Sequence, residues 1–115
     1  MLPNADEVIE LLLAWQRGEI DEMRVVEKAE RAIENSGVRD VPEDDPRSPT
    51  FTVLCDLGIL HIRLLTPDDV PAMLSFVRDG SLDLPAAWAA WNRYMDSVNW
   101  RERRLQLLSN PFYAT

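Results

Sequence analysis

The sequence predicts an all-α protein, a compact single-domain antiparallel bundle of five or six helices. Three observations carry that expectation. Apolar residues recur at helical spacing, i, i+3, i+4, i+7, through most of the chain. Capping residues and Gly or Pro stops bound these segments. No run of strand character has a second run to pair with. The 115 residues allow one core and not two, so the domain spans 1–115, with a Pro- and acid-rich loop at 38–49 and a tail at 110–115.

The helices are expected near 5–17, 22–36, 49–65, 67–78, 84–98 and 100–108. In the first, Asn4 can cap and Glu7 completes a pair resembling a capping box. Val8, Leu11, Leu12 and Trp15 form its stripe, and Gly18 can stop it. Asp21 caps the second, whose stripe is Val25, Val26, Ala29, Ala32 and Ile33, ending at Gly37. The short connection favours an antiparallel hairpin.

Pro42, Pro46 and Pro49 forbid regular helix pairing in the following loop, and Asp40, Glu43, Asp44 and Asp45 keep it solvated. Ser48-Pro49 reads as the cap and first position of the third helix. That segment is apolar nearly all round, as a central helix would be. Periodicity alone would also allow a short strand at 59–65, and Gly58 marks close packing or a bend. Thr66-Pro67-Asp68-Asp69 starts the fourth helix, pinned by Pro71 and closed by Gly80. Asp83 caps the fifth, with Leu84, Trp88, Trp91 and Met95 as its buried stripe. The last is rich in arginine. The expected core is Leu12, Ile33, Leu54, Leu57, Leu64, Leu74, Trp88 and Trp91.

Composition excludes several functions. There are 20 acidic and 12 basic residues, a formal charge of −8 and a pI near 4.5. That argues against nucleic acid and against anionic lipid as partners. One Cys and one His leave no disulfide framework and no His-based metal site. The start of the chain lacks a basic segment before its apolar residues, and the longest apolar stretch, 51–65, is interrupted by Asp56, His61 and Arg63. The expected location is the cytoplasm. Eleven Arg against the single Lys28 suggest a GC-rich bacterial source.

No constellation points to catalysis. Gly18, Gly37, Gly58 and Gly80 are too scattered for a phosphate loop. Cys55 and His61 are six positions apart, about 120° around a helix, so they face different ways. A small core thiol and a lining histidine is the preferred reading of that pair. Asp40, Glu43, Asp44 and Asp45 lack the spacing of a calcium loop and read as a solvated turn. No catalytic, cofactor-binding or metal-ligating residue is expected, and no cofactor.

Charge is unevenly placed. Residues 1–50 carry 13 acids and 6 bases, net −7, while residues 51–115 carry 7 and 6, net −1. The expected function is therefore an acidic protein-binding module whose partner is a basic protein, since charge of this kind steers association. Glu22, Glu30, Asp44 and Asp45 are the acidic candidates for that contact. Trp100 and Tyr113, off the buried stripe, are the aromatic ones. Size, acidity and the amphipathic opening Val8-Ile9-Glu10-Leu11-Leu12, followed by Arg17-Gly18-Glu19-Ile20, resemble small helical bacterial immunity proteins. The resemblance implies an inhibitor of a basic partner; it has no diagnostic motif and assigns no residue. The competing expectation is a non-catalytic homodimer formed through the aromatic fifth helix.

Overall fold

Local signals set most of the helix ends. The computed structural model describes residues 1–113, so the expected tail at 110–115 lies partly outside the described residues. Among those described, the chain forms α1 (Ala5–Gln16), α2 (Glu22–Ser36), α3 (Ser48–Gly58), α4 (Leu60–Arg63), α5 (Val70–Gly80), α6 (Leu84–Ser97) and α7 (Trp100–Leu107), with a 3-10 turn at Pro67–Asp69 and no strand. Side chains of Asn4, Asp21, Asp83 and Asn99 accept backbone N–H bonds of 2.9–3.1 Å at four helix starts. Each such cap contributes about 1 kcal/mol. Thr66 and Asp69 form a reciprocal capping box before α5. Gly37 ends α2 in the left-handed region, φ +69°, which glycine adopts at little cost.

The single helix expected at 49–65 is two. Ile59 leaves the helical region (φ −127°, ψ 33°), α4 adds one turn, and Leu64 takes φ +59°. The reason is the segment's all-round apolar character. One straight helix could bury only part of it, whereas the break at Gly58–Ile59 turns Leu60, Leu64 and Leu65 inward. Ile59 and Ile62 are left outside. Ser48 is also not a cap. The helix begins one residue earlier than expected, and the Ser48 hydroxyl donates to Glu43 O (2.9 Å) and accepts from Trp88 Nε1 (3.0 Å). Gly80 does not stop α5 through a special backbone. It is the last helical residue, and a Cβ there would lie 2.6 Å from Pro49 Cγ, so it is needed for the close approach of α3.

α3 and α5 form the centre. α2 packs chiefly on α3, α6 chiefly on α5, and α1 crosses α5 and α3. The chain's radius of gyration is 13.7 Å, as expected of one compact domain. Leu12, Leu54, Leu57, Leu64, Leu74 and Trp91 are buried as expected, but Ile33 and Trp88 are only half-buried at the rim. The stripe on α6 is narrower than expected: Ala87 and Trp91 are buried, while Leu84, Trp88 and Met95 are partly open. A helix covered chiefly by one neighbour buries a narrow strip. Among the described residues no helix is long and apolar enough to cross a membrane.

Candidate functional site: an open groove between α1 and α2

The expected α1–α2 hairpin is tied at its tip, where Trp15 Nε1 donates to Glu22 Oε2 (2.8 Å). Away from the tip each helix takes a different neighbour, α5 for α1 and α3 for α2. A groove of about 610 Å³ remains between them. Its floor is apolar, built from Val8, Leu11, Ala14, Ile20, Ala32 and Leu54. Its two walls carry opposite charge. Glu7 and Glu10 stand on the α1 side, and Arg24, Lys28 and Arg31 on the α2 side. The walls follow from helix periodicity: 7, 10, 11 and 14 share one face of α1, and 24, 28 and 31 share one face of α2. Arg24 is ion-paired with Glu27 at 3.2 Å on the exposed surface. Among the described residues neither Glu7, Glu10, Lys28 nor Arg31 has an ion-pair partner within 4.0 Å.

The second polar centre is closed. Asp69 is fully buried. Its Oδ2 accepts from Thr66 N (2.9 Å) and from Arg103 Nη1, and its Oδ1 accepts from the Tyr94 hydroxyl. Arg103 also donates to Leu64 O (3.2 Å), and the Tyr113 hydroxyl donates to Leu65 O. Burial, then the bond to Asp69, pushes the Tyr94 phenol up to about 12. Burial also raises Tyr113, with the Glu22 and Asp69 carboxylates adding to it. Because every charge here is paired, this centre clasps α6, α7 and Tyr113 to the 64–69 turn. Sequence reading missed it: Asp69 looked like a helix-start residue only, and Arg103 lies 34 positions away.

The residues expected to meet a partner divide in two. Glu22 is half-buried and bonded to Trp15. Asp45 is bonded to Arg47 at 2.9 and 3.1 Å, and those bonds hold its carboxyl below the usual range. Trp100 is half-buried, donating to Met95 O (2.9 Å) with the Arg103 guanidinium 5.1 Å above its ring. Tyr113 was expected at the surface and is instead buried, because its hydroxyl finds Leu65 O in the interior. Glu30 and Asp44 are exposed and carry no such tie among the described residues.

Burial, followed by the Asp56 charge, raises the Cys55 thiol, the opposite of what activates a nucleophile. His61 packs edge-on to Phe112 at 5.8 Å. Among the described residues no group of three or more His, Cys, Asp or Glu side chains is gathered as a metal ion requires, the 40–45 acids included. Compared with known protein families, curated proteins and solved structures, the chain matches none.

Proposed function

We propose that this protein is a small acidic protein-binding module and that the groove between α1 and α2 is its docking surface. One observation carries the reading: an apolar floor lies between an acidic and a basic wall whose charges are mostly without an ion-pair partner among the described residues. An amphipathic helix of a partner fits such a groove, its apolar stripe on the floor and its flanking charges against the walls. Turning that helix end for end swaps its flanks, so the opposed walls also select its direction. The net −7 of the first 50 residues supports attraction of a basic partner from a distance. Neutralisation of a basic protein, in the manner of an inhibitor or immunity protein, is the specific form of this reading. A homodimer through α6 has less support, since Trp91 stacks on Phe76 at 5.0 Å and Trp88 packs edge-on to it at 4.9 Å, both within the chain.

The test uses a synthetic helix with a leucine stripe, lysines on one flank and glutamates on the other. Titrated into labelled protein, it is expected to perturb the amides of Glu7, Glu10, Leu11, Ala14 and Lys28. Its association rate should fall as salt rises and fall again in the Glu7→Gln, Glu10→Gln variant. Perturbations confined to other elements would reject the groove as the docking surface.

A further inference from the structure

Helix α7 has the shape and charge that the groove calls for. At 100° per residue, Leu105 and Leu108 share one stripe on its surface, with Arg101 in line with them at the start of the helix. Leu105 and Leu108 are 63% and 62% exposed, two large apolar side chains one turn apart. Arg104 lies on one flank of that stripe, and the exposed Glu102 on the other. The groove offers the complementary order, with Glu7 and Glu10 on one side, Lys28 and Arg31 on the other, and apolar residues between. The lengths agree as well. α7 and the α1 wall from Glu7 to Ala14 each span eight residues, about 12 Å at 1.5 Å per residue. The opposite face of α7 is occupied, since Arg103 is drawn into the Asp69 clasp. That clasp fixes which stripe faces outward.

We infer that a second copy of this chain docks its α7 in the α1–α2 groove, Leu105 and Leu108 on the floor, Arg104 against Glu7 and Glu10, and Glu102 against Lys28 and Arg31. Each copy carries one groove and one α7, so reciprocal exchange closes a two-fold dimer. The inference rests on the groove being a docking surface. It adds a regulation of that surface: self-association competes with any other helix for the same site, so the groove is open only in the dilute protein or when a partner displaces the second copy.

Sedimentation equilibrium over a wide concentration range tests it on the full chain. The parent is expected to pass from 13.2 kDa to twice that mass as concentration rises. The Leu105→Glu, Leu108→Glu variant should stay monomeric. Arg104→Glu or Glu10→Arg alone should weaken association about tenfold or more, and the two together should restore it, because only the paired reversal restores the opposite charges. All four positions are exposed, so thermal melts of the variants should match the parent's at concentrations low enough for it to be monomeric. A parent that stays monomeric throughout, or a dimer indifferent to these substitutions, overturns the inference. The monomeric Leu105→Glu, Leu108→Glu variant is also titrated with the synthetic helix described above. Binding there without self-association in the parent keeps the groove as a docking surface and removes only the second copy. Failure of both removes both.

Discussion

The two polar regions of this molecule are built in opposite ways. Around Asp69, charges are buried and each finds a partner: Arg103, Tyr94 and the Thr66 amide converge on one carboxylate. Between α1 and α2, charges of both signs stand in solvent, an apolar floor lies between them, and most have no ion-pair partner among the described residues. A buried charge must be satisfied internally or it destabilises the fold. An exposed charge faces no such demand and is available to another molecule. The comparison therefore separates residues that hold the fold from residues that can act on a partner, although the two sets look alike in the sequence.

Substitution should sharpen the contrast. The largest effect is expected for Asp69→Ala, which leaves Arg103 partly buried beside an empty site. The loss should be about 3–5 kcal/mol, read from urea unfolding, and would unfold a marginal domain. Leu57→Ala at the central helix should cost about 2–5 kcal/mol, whereas Leu11→Ala on the half-open groove floor should cost clearly less. Equal losses would mean that the groove is filled. Gly80→Ala places a Cβ 2.6 Å from Pro49 Cγ and should destabilise by about 1–3 kcal/mol through overpacking between α3 and α5.

Smaller effects follow from titration. The Tyr94 phenol is raised from 10.0 to about 12, so the folded chain holds that proton more tightly than the unfolded chain. The stability this provides is complete below pH 10 and is lost as pH rises from 10 towards 12. Tyr94→Phe should lower stability at neutral pH and flatten that alkaline loss in melts recorded across the range. Asp56 is the exception to full pairing. Its Oδ2 is buried with no hydrogen-bond partner among the described residues, and burial raises its carboxyl despite Arg63 at 3.5 Å. Here too the stabilising proton is lost as pH rises through the folded value, so ionising this carboxyl costs stability. Asp56→Asn is expected to raise stability by about 0.5 kcal/mol, read as a small rise in Tm.

What the sequence determined by itself is what depends on neighbours within one helical turn. Asn4, Asp21, Asp83 and Asn99 cap because each needs only an amide two or three positions on. The stripes of Leu12, Leu54, Leu57 and Trp91 fall inward because the helix period is fixed by backbone geometry. Tertiary structure decided the rest. Tyr113 is drawn inside by a carbonyl 48 positions away, and Asp69 becomes the centre of a clasp through an arginine 34 positions away. Glu22 leaves the candidate contact surface for the Trp15 indole. The rows at 7, 10 and at 24, 28, 31 were present in the sequence, yet they face each other only because α1 rests on α5 and α2 on α3. Periodicity says which residues share a face. What that face meets is set by packing between segments distant in the chain, and no local pattern encodes it.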